Sequence, residues 1–209
     1  MKRYECIQVL AGLIERPLVV TTAGGATHEW WNFGDNAGQL PARTLGLCSS
    51  IGLGLAIAVP NRRVLVLDGD GGLLMNLNSL ATTSVHHPTN LVHVCFDNGV
   101  YESSGGTPTF SSRGINLARI AAAAGIPRVH EADTLEAFRT AAEDMAGHWE
   151  HTFILARVEP GLADVPPIPI DEVENKYRFA RHIEATEGRR ILTGPTSPVA
   201  TAAPKPART

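Results

Sequence analysis

The stretch Val64-Leu65-Val66-Leu67-Asp68-Gly69-Asp70-Gly71-Gly72 decides how this chain is read. Four apolar residues in a row, two of them β-branched, form the pattern of a strand covered on both faces. The run stops in carboxylates and glycines, and a helical pattern follows over residues 73–85. Glycines let a ligand approach the backbone, and the helix start offers N–H groups to an anion. Asp68 and Asp70 would repel a bare phosphate, so the turn makes sense with a cation between carboxylate and anion. Mg²⁺ fills that role, taking one or two protein oxygens together with phosphate oxygens.

Working outward, Leu91 to Phe96 reads as the next strand and ends in Asp97-Asn98-Gly99. The 26 residues between Gly71 and Asn98 allow one helix and one returning strand. Asn98 is thereby set beside Asp70 as a second, neutral oxygen ligand. Towards the amino end, Ile7, Leu10, Leu13 and Ile14 have helical spacing within residues 2–15, and Pro17 stops that helix. Leu18-Val19-Val20 reads as a strand running into Thr21-Thr22-Ala23-Gly24-Gly25, a further glycine loop. Residues 44–59, small and apolar with Gly46, Gly52 and Gly54, read as a tightly packed helix or a closely approached segment. Residues 116–124 and 134–147 read as helices, and Phe153 to Val158 as a strand.

Buried strands alternating with helices predict an α/β fold, an open and mostly parallel sheet with helices on both faces. Ligands bind such sheets beyond the carboxyl ends of the strands. Residues 1–160 make one domain. Residues 161–192 hold a connector, with Pro166, Pro167 and Pro169, and a polar helix over 171–187. Residues 193–209, rich in Thr, Ala and Pro, read as a disordered tail.

Composition excludes several classes. Hydrophobic residues are 44% and charged residues 19%, a globular balance. Net charge is 18 − 21 = −3, which argues against nucleic acid as a partner. Cys6, Cys48 and Cys95 contain no CxxC pair, so neither a disulfide framework nor a zinc or iron–sulfur site is expected, and the cysteines read as core or incidental residues. No signal peptide and no run of about 18 apolar residues is visible, which points to the cytoplasm and away from a membrane. Gly52-x-Gly54 precedes a strand instead of following one, unlike a dinucleotide fingerprint. His86-His87 reads as a helix-terminal cation and His93 as a satisfied core residue.

Gly-Asp-Gly alone and Asn-Gly alone are common turns. Gly69-Asp70-Gly71 followed after 26 residues by Asn98 resembles the signature of thiamine diphosphate-dependent enzymes. The resemblance covers roughly residues 1–160. It implies that Asp70, Asn98 and the Val100 carbonyl hold Mg²⁺, which in turn holds the cofactor's diphosphate. Gly24, Gly25, Leu45, Gly69, Gly71, Gly72 and Tyr101 would complete the cofactor site. The loop from Asn98 to Thr109 is similar to that of phosphonopyruvate and sulfopyruvate decarboxylases, as is the segment Leu45 to Gly54. That likeness makes Leu45 a bulky apolar wedge under the cofactor and implies a small 2-oxo acid as substrate.

His28, Tyr101, Glu102 and the loop from Ser103 to Thr107 are candidates to line the entrance. Thr27-His28-Glu29 stands where that group often has Ser-Arg-Glu, which puts a doubly anionic substrate in question. The family also needs a Glu carboxyl at the pyrimidine ring, from a separate domain. Glu5 and Glu15 lie on the first helix instead of after a strand. The resemblance therefore implies no catalytic carboxylate here and a pyrimidine-binding alpha subunit as partner, in an α₂β₂ assembly. Residues 44–58 and Trp30-Trp31 would be buried at that interface. Two other readings are a carboligase or oxidoreductase subunit on the same cofactor, and a non-catalytic Mg²⁺–nucleotide module.

Overall fold

In the computed structural model, which describes residues 1–192, six strands form one parallel sheet in the order β2-β1-β3-β4-β8-β7. The inner strands are β1 (Leu18–Thr22), β3 (Val64–Gly69), β4 (Leu91–Asp97) and β8 (Thr152–Arg157). The edges are β2 (Gln39–Ala42) and β7 (Arg128–Ala132). A short antiparallel hairpin, β5 (Val100–Tyr101) with β6 (Thr107–Pro108), stands apart.

The inner strands are those expected from their apolar runs. Both edge strands escaped that reading, for a shared reason. An edge strand is open on one side, so it tolerates a proline such as Pro41 or a polar run such as Arg128-Val129-His130-Glu131.

Eight α-helices cover the sheet among the described residues: α1 (Arg3–Leu13), α2 (Gly25–Phe33), α3 (Cys48–Ala58), α4 (Asp70–Leu74), α5 (Asn78–His86), α6 (Leu117–Ala123), α7 (Leu135–Gly147) and α8 (Glu172–Glu187). α2 was not anticipated. The helix expected over 73–85 is two helices. α4 begins at Asp70, inside the glycine turn, and the chain breaks after it where Asn76 Nδ2 donates to the Gly46 carbonyl at 2.7 Å. Asn116, Thr134 and Asp171 cap α6, α7 and α8 through side-chain oxygens.

On one face, Ile7, Leu10, Trp30, Phe138 and Met145 pack with Leu65, Leu67, Val92, Val94 and Ile154. On the other, Cys48, Ala56, Phe179 and Ile183 pack with Leu18, Val20 and Val66, while Leu80, Leu117 and Ala121 meet Cys95, Phe153 and Leu155. The small residues of α3 have a steric cause: a Cβ at Gly52 would stand 2.2 Å from Val66 Cγ2. Trp30 lies wholly inside the first cluster, and Trp31 lies under the Arg178 guanidinium of α8, 5.1 Å from its ring. Trp30, expected at a partner interface, is thus buried within the chain, while Trp31 stays partly exposed. All three cysteines are buried and unpaired, and burial pushes the Cys6 thiol up to about 12. No helix among the described residues is long and apolar enough to cross a membrane.

From β1 the chain turns to β2 on one side, and from β3 it turns to β4 on the other. The loops leaving the carboxyl ends of β1 and β3 therefore diverge and leave a crevice between them.

Two histidines are buried in the sheet layer. His93 is where the sequence placed it, yet it is not fully satisfied. Its Nε2 faces Asp68 Oδ2 at 3.4 Å without a hydrogen bond, and its ring meets Phe153 edge-on. His151 is 2% exposed, neither ring nitrogen has a partner, and burial lowers its pKa to about 4. A histidine depressed in the folded state contributes stability above the unfolded value near 6.5 and loses it as pH falls towards 4. The loss amounts to about 3 kcal/mol. Urea unfolding at pH 7 and pH 4.5 should show this loss in the wild type and a clearly flatter acid limb in His151→Leu. Equal slopes would remove His151 as the cause.

Candidate functional site

The crevice at the β1/β3 switch is a cleft of about 220 Å³. Thr22 to Ala26 line it from the end of β1, Asp68 to Gly72 from the end of β3, and Asn98 to Ser103 from beyond β4. Leu45, His28 and Arg3 reach it from the turn before α3, from α2 and from α1. Every residue that the sequence put forward for the cofactor, the metal or the entrance reaches this cleft, apart from the tip of the 103–107 loop. There Ser103 lines the cleft, and Gly105 to Thr107 are exposed.

Asp70 is 2% exposed at the first turn of α4. Its Oδ2 accepts from Thr109 Oγ1 at 2.5 Å and Ser111 Oγ at 2.9 Å. Burial nonetheless raises its carboxyl pKa, and the nearby Asp97 adds to the rise, against the lowering by the two hydroxyls. Ser111 also reaches Asp97 Oδ1 at 2.6 Å, and Arg157 holds Asp97 Oδ2 at 3.2 Å. The single Ser111 proton cannot serve both carboxylates. Asp70 thus accepts from two hydroxyls and has no basic side chain paired with it among the described residues.

Asn98 closes a local turn, its Oδ1 accepting from Val100 N–H at 3.1 Å. Its Nδ2 faces Glu102 Oε2 at 3.5 Å. Opposite Val100 in the hairpin stands Pro108, which has no N–H to offer. The Tyr101 ring packs where a Gly71 Cβ would be, 2.4 Å away, so Gly71 lets the hairpin close over the turn. A Cβ at Gly72 would stand 2.8 Å from Asp68 Oδ1. Gly24, before α2, has φ +114°, a conformation open to glycine.

One part of the site was not legible beforehand. Arg3, nearly buried, donates from Nε and Nη2 to the two oxygens of Glu29 at 2.8 and 3.0 Å, and from Nη1 to Glu102 Oε2 at 3.2 Å. Its Nη2 also donates to the Gly161 carbonyl at 3.1 Å. The Gly161 N–H returns a bond to Glu102 Oε1, and Ala163 N–H donates to Glu29 Oε1 at 3.2 Å. Farther along, Ile168 N–H donates to His28 Nδ1 at 3.2 Å, which leaves the proton of a neutral ring on Nε2. The segment after β8 is thus stitched across α2 to the rim of the cleft, with Leu162 in its wall. Glu102, Glu29 and His28 were visible in sequence as single residues. Arg3, Thr109 and Ser111 carried no signal, because their partners lie 26 to 99 residues away.

Fold and cleft together define a doubly wound α/β domain with its cleft at the β1/β3 switch, the place where such sheets bind ligands. Residues 38–155 match the family model "Thiamine pyrophosphate enzyme, C-terminal TPP binding domain". The chain belongs to the thiamine pyrophosphate enzymes. It is 36% identical to sulfopyruvate decarboxylase subunit beta of Methanothermobacter thermautotrophicus over 90% of this chain and 98% of that one. It is 37% identical to phosphonopyruvate decarboxylase of Streptomyces hygroscopicus over 82% of this chain, which spans only 43% of that protein. The fold is shared with a thiamine diphosphate-dependent 4-hydroxybenzoylformate decarboxylase of Rhodococcus jostii RHA1, at TM-score 0.65 and 18% identity, over 77% of this chain and 33% of that one.

The Arg3–Glu29 pair yields a stability prediction. Removing one partner leaves the other charge buried and should cost about 3–5 kcal/mol. In chemical denaturation, Arg3→Met and Glu29→Gln are each expected to be strongly destabilising. The double variant should cost at least ~1 kcal/mol less than the sum. Strict additivity would show that the two groups do not interact.

Proposed function

We propose that this chain is the diphosphate-binding subunit of a thiamine diphosphate-dependent 2-oxo acid decarboxylase of the sulfopyruvate and phosphonopyruvate type. It acts with a separate pyrimidine-binding alpha subunit in an α₂β₂ assembly. The observation that carries the reading is the buried carboxylate of Asp70, held by hydroxyls and paired with no basic side chain among the described residues, which lines one cleft with Asn98 and the Gly24–Gly25 turn. The residues fit the cofactor: a carboxylate in need of a cation, a glycine turn at a helix start, and an apolar residue, Leu45, in the wall.

In this reading Asp70, the Asn98 carboxamide oxygen and the Val100 carbonyl hold Mg²⁺, and the backbone at Gly71 and Gly72 takes the diphosphate. Val100 and Pro108 form a non-hydrogen-bonded pair of the hairpin, next to the bond from Thr109 N–H to the Gly99 carbonyl, so the ladder makes no claim on the Val100 carbonyl. Bound thiamine diphosphate supplies the electron sink that allows a 2-oxo acid to lose CO₂. The chain's own residues position and enclose. Leu45 and Leu162 exclude water, Glu102 holds the 98–104 loop to Arg3, and His28 and Tyr101 stand where a small 2-oxo acid would enter.

The case for a partner is a count of carboxylates. Cofactor activation needs a carboxyl at the pyrimidine end. Glu29 and Glu102 are both committed to Arg3, and Asp68 and Asp70 lie together where β3 runs into α4, at the diphosphate end. A relative matched over 98% of its length carries the word subunit in its name, and the phosphonopyruvate decarboxylase is more than twice as long as the part matched.

Asp70→Asn should abolish Mg²⁺-dependent thiamine diphosphate binding in calorimetry. It should leave the cofactor-free chain folded, with an unchanged circular dichroism spectrum, because an asparagine oxygen can still accept from Thr109 and Ser111. Retained metal-dependent binding would refute the metal assignment. The chain alone, given cofactor, Mg²⁺ and 2-oxo acids, should release no CO₂ at enzymatic rates. Turnover on the order of 1 s⁻¹ would overturn the subunit reading.

A further inference from the structure

The reading above gives no task to a set of buried polar side chains at the metal end of the cleft: Thr109 and Ser111, just past β6, and Asp97, at the end of β4. Asp70 lines the cleft, whereas Thr109 and Ser111 do not. The two hydroxyls therefore meet the carboxylate from outside the cleft wall.

The two oxygens of that carboxylate are unequally placed. Both hydroxyl contacts fall on Oδ2, Thr109 Oγ1 at 2.5 Å and Ser111 Oγ at 2.9 Å, and the hydroxyls stand 2.8 Å from each other. No side chain among the described residues bonds Oδ1. A carboxylate enclosed at one oxygen has a fixed rotation and only its other oxygen to give. The hydroxyls are fixed in their turn. Thr109 N–H donates to the Gly99 carbonyl at 2.9 Å, between Asn98 and Val100. Ser111 Oγ lies 2.6 Å from Asp97 Oδ1, which also accepts from Gly99 N–H at 3.2 Å, and Arg157 holds Asp97 Oδ2 at 3.2 Å. The short segment 109–111 thus ties Asp70 to the loop that carries Asn98 and Val100.

We propose that Thr109 and Ser111 are positioning residues that set the metal selectivity of the site. By closing Oδ2 they make Asp70 a one-oxygen ligand, and so favour Mg²⁺ over Ca²⁺. The inference rests on the assignment of Asp70 to the metal. Mg²⁺ demands a near-ideal octahedron, which a carboxylate held to one oxygen respects. Ca²⁺ takes a larger and more variable set of oxygens and accepts both from one carboxylate. With either hydroxyl gone, Asp70 is free to turn and to offer both.

The test is calorimetric titration of the full chain, in the presence of thiamine diphosphate, with magnesium chloride and separately with calcium chloride. The readout is the ratio of the two affinities. In Ser111→Ala and Thr109→Val, Mg²⁺ should bind about tenfold more weakly while Ca²⁺ binding is kept or tightened, so that the ratio moves towards Ca²⁺ by about tenfold or more. Ser111→Thr and Thr109→Ser retain a hydroxyl and should keep the wild-type ratio. Ser112→Ala removes a bond of the same turn, from Ser112 Oγ to the Thr109 carbonyl at 2.7 Å, but none to Asp70, and should leave the ratio where it was. An equal loss of both ions in Ser111→Ala and Thr109→Val, up to loss of all binding, would overturn the proposal, since hydroxyls that are themselves ligands or that merely hold the fold give that result. An unmoved ratio would overturn it too, as would the same shift in Ser112→Ala. A wild-type chain whose thiamine diphosphate binding needs no metal, or that does not bind it, would remove the metal assignment and this inference with it. Metal-dependent binding in the wild type with an unmoved ratio in the variants removes this inference alone.

Discussion

The guanidinium of Arg3 has left water, and everything at the mouth of the cleft is arranged around that fact. Two carboxylates, Glu29 on α2 and Glu102 beyond β4, answer its charge, and the Gly161 carbonyl takes a further proton. A buried charge with two partners is strongly directional, because each lost bond exposes an uncompensated ion to a medium that cannot solvate it. Four stretches distant in sequence are therefore held in one place: the first turn of α1, the middle of α2, the loop after β4 and the segment after β8. The cleft has its shape because those four meet.

Beneath this clamp the sheet contributes a different constraint. β1 and β3 are parallel neighbours whose chains leave in opposite directions, so their carboxyl ends cannot be covered by their own connections. The glycine turns at 23–25 and 69–72 border the gap. Asp70 is placed there with its charge only partly answered by two hydroxyls and opposed by burial. The clamp and the switch point divide the work. Arginine and glutamates satisfy one another and give rigidity, while Asp70 is held by the two hydroxyls of Thr109 and Ser111 alone among the described side chains.

The sequence was most informative where one local rule acted alone. Continuous apolar runs located the four inner strands, because a strand covered on both faces has no freedom to be polar. Gly69-Asp70-Gly71 and Asn98 could be paired across 26 residues, because a helix and a returning strand of ordinary length fit that gap. α2 was lost because its start is a glycine pair and its tryptophans suggest a surface as readily as a core. The two edge strands were lost because an edge relaxes the apolar demand that makes a strand visible.

By itself, the sequence determined the class of sheet, its four inner strands and the two side chains, Asp70 and Asn98, that line one cleft, since these follow from periodicity and chain length. Tertiary structure alone decided the rest. It buried Trp30 instead of leaving it for a partner, and it split the helix after Leu74. It set Thr109 and Ser111 on Asp70, and it drew Arg3 to Glu29 and Glu102. The physical reason is the same in each case: a charge or hydroxyl in sequence has no direction, and what answers it depends on which distant segment the packing brings within about 3 Å.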